Sequence, residues 1–237
     1  MKKRIGMMIA AGLLLAVLAA TGAFLSGGYE ASPAAVEAMA LSRDSGHAQV
    51  FMPEEVRGGL IFYPGGLVDH RAYAPLMQAL CERGVLCLLV QMPLDLAVLD
   101  MNAADGLQEM HPEADRWLIG GHSLGGAMAA GYAKDHPDTY EGLVLLGAYS
   151  TADLSMTDIS VLSIYGSEDG VLNHEKYDEC LKHYPQGFEE IVIEGGCHAC
   201  FGDYGAQKGD GVPTITREAQ IQITADAIAA MYDSVLE

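Results

Sequence analysis

The sequence predicts an α/β fold, a mostly parallel sheet covered by helices on both faces with little or no cap domain, and three observations carry that reading. Short runs such as Val85-Leu86-Cys87-Leu88-Leu89-Val90 are apolar at every position, as strands are when both faces of their sheet are buried. Between such runs the apolar residues move to helical spacing, as at Tyr73, Leu76, Met77, Leu80 and Cys81. The stretch from Trp117 to Ala127 is an apolar run that stops at glycines, presents Ser123 and resumes as an alanine-rich helix. With 237 residues, half of them apolar, the chain suits one such domain better than two.

At the N-terminus, Lys2, Lys3 and Arg4 precede an uncharged run from Ile5 to about Leu25. A basic flank followed by about twenty apolar residues reads as a membrane-targeting segment, either a cleaved signal peptide or an uncleaved transmembrane signal-anchor. Thr21-Gly22-Ala23 is a poor cleavage site and the run is long for a signal core, which favours the anchor. The basic flank then stays in the cytoplasm and the remainder lies outside the cell membrane, or is secreted if cleavage occurs. Residues 1–28 are assigned to this segment, 29–45 to a linker with a short helix from Pro33 to Leu41, and 46–237 to the folded domain.

Within that domain His47 to Met52 reads as a first strand, and Gly58 to Tyr63 as a buried strand running into the loop Pro64-Gly65-Gly66. The helix ending near Cys81 is stopped by Gly84, the apolar strand from Val85 follows, and a second helical region is expected from about Asp95 to Glu109. Further strands fall at Trp117 to Gly120, Gly142 to Leu146, Val161 to Tyr165 and Glu189 to Ile193. A final helix runs from about Arg217 to Val235, with Ile221, Ala225, Ile228 and Tyr232 as its apolar positions.

A formal charge of -19 repels nucleic acid and anionic lipid surfaces, so neither is expected as a partner. The five cysteines, Cys81, Cys87, Cys180, Cys197 and Cys200, are an odd number in apolar surroundings; no obligatory disulfide framework is expected.

In an open sheet of this kind chemistry gathers at the carboxyl ends of the strands. Ser123 follows one such end inside Gly121-x-Ser123-x-Gly125, where a serine on a sharp strand-to-helix turn needs neighbours without side chains. The helix beyond aims its N-terminal N–H groups at the same point. Asp169, within Gly166-Ser167-Glu168-Asp169-Gly170, and His198, within Gly195-Gly196-Cys197-His198-Ala199, follow two later strands. A serine hydroxyl becomes a useful nucleophile when a base takes its proton and a third group fixes the base in one tautomer. Taken singly, Gly-x-Ser-x-Gly is a common pattern, His198 an ordinary loop histidine and Asp169 an ordinary turn residue. Their order on consecutive strand ends is what singles them out, with Glu168 as the alternative acid.

On Gly121-His122-Ser123-Leu124-Gly125-Gly126, Tyr165-Gly166-Ser167-Glu168-Asp169-Gly170 and Glu194-Gly195-Gly196-Cys197-His198, the chain from about Gly59 to its end resembles the α/β-hydrolase superfamily. It is most similar to the small, lid-poor members related to dienelactone hydrolases and bacterial carboxylesterases. The resemblance implies an α/β-hydrolase fold, a catalytic triad of Ser123, Asp169 and His198, and an oxyanion hole. One oxyanion donor would be the Leu124 N–H and the other an N–H of the loop Pro64-Gly65-Gly66-Leu67, Gly66 ahead of Leu67. Pro64 stands where the superfamily often has histidine, which leaves that register open. Dienelactone hydrolases proper carry cysteine at the elbow, so Ser123 makes a general ester hydrolase the better comparison.

The implied activity is a serine hydrolase cleaving a carboxylic ester or related acyl bond of a small-molecule acyl substrate through an acyl-enzyme, with no cofactor and no metal. The alternatives are a membrane-tethered binding protein that keeps the fold without turnover, and an acyltransferase or perhydrolase using the same triad. Few residues separate the strand ending near Leu146 from that starting near Ser160, which leaves little room for a helical cap. Cys197-His198-Ala199-Cys200 lacks the second ligand pair of a metal knuckle. The acidic glycine loop from Gly202 to Gly211 reads as lining the site rather than as a calcium loop, and His122 as a packing residue beside the nucleophile.

Overall fold

The structure, a computed structural model, describes residues 27–186 and 188–234. The expected membrane segment therefore lies outside the described residues, apart from its last two positions. Among the described residues no helix is long and apolar enough to cross a membrane.

Eight strands form one sheet: β1 Arg43–Ser45, β2 Ala48–Phe51, β3 Gly58–Tyr63, β4 Val85–Val90, β5 Trp117–His122, β6 Gly142–Leu146, β7 Ser160–Gly166 and β8 Glu189–Ile193. Their spatial order is β1-β2-β4-β3-β5-β6-β7-β8. The first two strands join antiparallel, and every pairing from β4 to β8 is parallel. The helices are α1 Pro33–Met39, α2 Ala74–Cys81, α3 Leu124–Asp135, α4 His174–Cys180 and α5 Arg217–Ser234. Every residue of β3, β4, β5 and β6 is buried, as their unbroken apolar sequences require.

Alternation along the strands divides the core into two layers. Leu60, Phe62, Cys87, Leu89, Leu118, Val144 and Ile164 face α2 and α5. Ile61, Tyr63, Leu86, Leu88, Ile119, Leu143 and Leu145 face α3 and the segment from Ala97 to Leu107. Both faces of the central strands are therefore buried, which leaves the strand ends as the place where their neighbours can meet a ligand.

Two expectations are corrected. The helix expected from Asp95 to Glu109 is absent; two short 3-10 turns, Pro93–Asp95 and Ala97–Leu99, are followed by further turns. Leu94 and Asp95 have φ of +52° and +55°, which ends any helix there. The Tyr63 hydroxyl then fixes the turn, donating to the Met101 carbonyl at 2.9 Å and accepting from the Ala104 N–H at 2.9 Å. Apolar residues at near-helical spacing are thus buried by turns that tertiary hydrogen bonds hold. The stretch 29–45, expected as a linker, is built into the domain: Tyr29 N–H donates to the Leu67 carbonyl at 2.7 Å, α1 buries Ala35 and Met39, and β1 is an edge strand.

Candidate active site

Ser123 sits between β5 and α3 with φ 52° and ψ −122°, a strained conformation for a residue with a side chain. Its surroundings require the flanking glycines. A Cβ on Gly121 would lie 2.5 Å from the Tyr63 carbonyl oxygen, and one on Gly125 would lie 2.2 Å from that of Pro64. The non-glycine residues with positive φ among those described are Leu67, Leu94, Asp95 and Ser123. Two of these four are the serine itself and Leu67, next to the Gly66 that packs on Leu124; the other two lie in the turn after β4.

Asp169 and His198 meet. His198 Nδ1 lies 2.8 Å from Asp169 Oδ2, and the two side chains are 1% and 0% exposed. Asp169 Oδ1 accepts the N–H groups of Val171 at 2.9 Å and Leu172 at 2.8 Å, so both carboxylate oxygens are occupied and aimed. Glu168, the alternative acid, is exposed, and among the described residues its carboxylate bonds with its neighbour Ser167. Gly147 makes room for the pair: a Cβ there would fall 2.8 Å from His198 Nδ1 and 3.1 Å from Asp169 Oδ2, and its φ is +51°. The sequence reading passed over this glycine, whose only signal is its place after β6.

Ser123, the third candidate, lies near this pair. Ser123 N–H donates to the Leu146 carbonyl at 2.9 Å, next to the Gly147 that touches His198, and the His122 ring lies 4.4 Å from the His198 ring. No hydrogen bond joins Ser123 Oγ to His198, and His198 Nε2 is buried without a partner among the described residues. Hydrogen bonds of this kind are often long without substrate and tighten when it binds.

The loop after β3 shows which N–H groups are free. Gly65 N–H donates to Tyr73 Oη at 3.0 Å, and Leu67 N–H donates to the Asp95 carbonyl at 2.8 Å. Gly66 N–H has no acceptor among the described residues, and a Cβ on Gly66 would lie 2.9 Å from the Leu124 side chain. The open donor of this loop is therefore the one beside the start of α3.

Tyr73 and His122 form a buried pair that the sequence reading missed as a unit. Tyr73 Oη accepts from Gly65 N–H at 3.0 Å and shares a hydrogen bond with His122 Nδ1 at 2.7 Å. Burial, with the neighbouring His198 second, holds the His122 pKa well below the ordinary histidine value, so its ring stays neutral against His198. Tyr73 in the sequence offers only an apolar helical position, so nothing local marks its hydroxyl.

A mostly parallel sheet in this strand order, with a strained serine turn after β5 and an aspartate and histidine joined at the same rim, defines a protein built on the α/β-hydrolase plan. The chain belongs to the alpha/beta hydrolase family, whose model matches residues 59–222. No curated protein matches it significantly by sequence. Among solved structures it is similar to Est1E from Butyrivibrio proteoclasticus, with TM-score 0.60 and 15% identity over 80% of this chain and 94% of that one. It is also similar to the esterase domain of a Rhodothermus marinus protein, with TM-score 0.59 and 14% identity over 78% and 90%. Paleococcus ferrophilus monoacylglycerol lipase gives TM-score 0.59 and 13% identity over 76% and 96%. At these identities the likeness is one of fold.

Proposed function

We propose that the protein is a serine esterase acting on small or water-soluble acyl esters. In this reading His198 Nε2 takes the proton of Ser123 Oγ as the oxygen attacks the acyl carbon, and Asp169 keeps the imidazole in the tautomer that allows it. The negative oxygen of the tetrahedral intermediate is met by the N–H groups of Leu124 and Gly66; its collapse expels the alcohol, which takes the proton from His198 Nε2, and water deprotonated by the same nitrogen then releases the acyl group as the acid and restores Ser123. The observation that carries the reading is the buried 2.8 Å contact of Asp169 with a His198 ring whose other nitrogen has no partner among the described residues, near a strained serine. The occupied N–H groups of Gly65 and Leu67 favour Gly66 as the loop donor. Ser123 is only half-buried, which suits an open site without a cap. Esterases and a monoacylglycerol lipase among the similar folds agree with ester hydrolysis.

The test is a set of p-nitrophenyl esters of increasing acyl length, together with labelling by a fluorophosphonate probe. Wild type is expected to turn over the short esters and to label, whereas Ser123→Ala does neither. Labelling of the folded alanine variant would overturn the assignment. The apolar run from Ile5 to Leu25 keeps its proposed role as membrane anchor or export signal, which fractionation of cells expressing the full chain checks.

A further inference from the structure

The loop from Gly202 to Gly211 is acidic and glycine-rich, features that the Ser123 chemistry leaves unexplained. Its carboxylate at Asp210 is turned inward, onto N–H donors. Asp210 Oδ1 accepts from Gly170 N–H at 3.2 Å, His198 N–H at 3.1 Å and its neighbour Gly211 N–H at 2.9 Å, and Oδ2 accepts from Ala199 N–H at 2.8 Å. Gly170 follows Asp169 directly, and His198 and Ala199 begin the turn that presents the imidazole. One side chain thus ties together two loops whose separation sets the Asp169–His198 contact.

The flanking glycines belong to the same device. A Cβ on Gly211 would lie 2.0 Å from the Glu168 carbonyl oxygen, and one on Gly170 would lie 2.5 Å from the Gly209 carbonyl oxygen. The backbone of residues 209–211 therefore packs directly on the acid loop, and neither Gly170 nor Gly211 has room there for a side chain. Four converging donors call for a group that only accepts, and an ionised carboxylate is such a group. Burial pushes the Asp210 pKa up, but the N–H groups of Ala199, Gly170 and His198 and the Cys197 thiol outweigh it and hold the group below the usual carboxylate range.

We propose that Asp210 is a positioning residue that holds the acid loop and the base loop at one separation, keeping Asp169 and His198 in contact through the reaction. The proposal rests on the reading of Ser123, His198 and Asp169 as the reacting set. Asp210→Asn keeps the size but turns an amide N–H2 toward at least one of the converging donors.

The experiment compares Asp210→Asn with Asp203→Asn in the full chain. Asp203 lies on the same loop but accepts from Ser32 Oγ and from Arg217 Nη1, away from the two loops. Asp210→Asn is expected to lower kcat on p-nitrophenyl acetate about 100-fold with KM little changed. It is also expected to lose the far-downfield proton resonance of His198 Nδ1–H while keeping the near-UV circular dichroism of wild type. Asp203→Asn lowers the melting temperature but keeps kcat and the resonance. Wild-type kcat or an unchanged resonance in Asp210→Asn, or an equal kcat loss in Asp203→Asn, overturns the proposal. If Asp210→Asn does not fold, Asp210→Glu, which keeps the charge one methylene further out, is expected to lose about tenfold in kcat, and wild-type kcat there overturns the proposal equally. The resonance reports the Asp169–His198 contact without substrate, so its loss in a protein whose Ser123→Ala variant still turns over ester would condemn the nucleophile assignment and not the positioning role.

Discussion

Replacing Tyr73 with phenylalanine tests how the loop after β3 is held. The ring is fully buried and packs against Phe62 with centroids 5.3 Å apart, so the substitution removes one oxygen and leaves the packing in place. Two groups lose their partner, Gly65 N–H at 3.0 Å and His122 Nδ1 at 2.7 Å. Each buried orphan costs about 1–3 kcal/mol, and partial relaxation of the loop brings the expected loss of stability to about 2–4 kcal/mol. Catalysis should suffer as well, because Gly65 fixes the register that leaves Gly66 N–H open. Loss of one well-aimed oxyanion donor costs about 100- to 1,000-fold in kcat, so a loosened one is expected to cost about 10- to 100-fold. Urea unfolding followed by circular dichroism reads the first effect, and kcat and KM on p-nitrophenyl acetate read the second. A variant within about 0.5 kcal/mol of wild type, or one whose kcat is intact while KM rises, would refute the reasoning.

Two further outcomes follow from the same site. Asp169→Asn should leave the fold intact and lower kcat about 1,000- to 10,000-fold, since an amide in place of Oδ2 no longer selects the imidazole tautomer; steady-state kinetics on the same ester checks it. His122 gives a pH signature. Its folded pKa is depressed, so below the ordinary histidine value of about 6.5 the unfolded chain takes a proton that the native ring refuses, and stability falls with pH by up to about 1.4 kcal/mol per unit. His122→Gln removes that component, so the gap between wild-type and variant unfolding free energies should change between pH 7.5 and 5.5. A gap independent of pH would contradict the burial argument.

The sheet and most of its strands were legible because hydrophobic patterning is a local property. Val85–Val90 and Gly142–Leu146 can only be strands covered on both faces, and Gly84 marks the turn into the first of them. The segment after β4 misled for the opposite reason. Ala97, Ala103, Ala104 and Leu107 are buried by turns that Tyr63, far away in sequence, holds in place, and local spacing cannot register a distant hydroxyl.

By itself the sequence determined the α/β class, the strand ends and the three residue types that chemistry requires there, because each rests on neighbours along the chain. Only the tertiary structure decided that Asp169 and not Glu168 reaches His198, that Gly65 and Leu67 N–H groups are occupied while that of Gly66 is open, and that Asp210 joins two loops. Those outcomes depend on hydrogen bonds between residues 8 to 40 positions apart, and their partners are chosen when the sheet brings its carboxyl edge together.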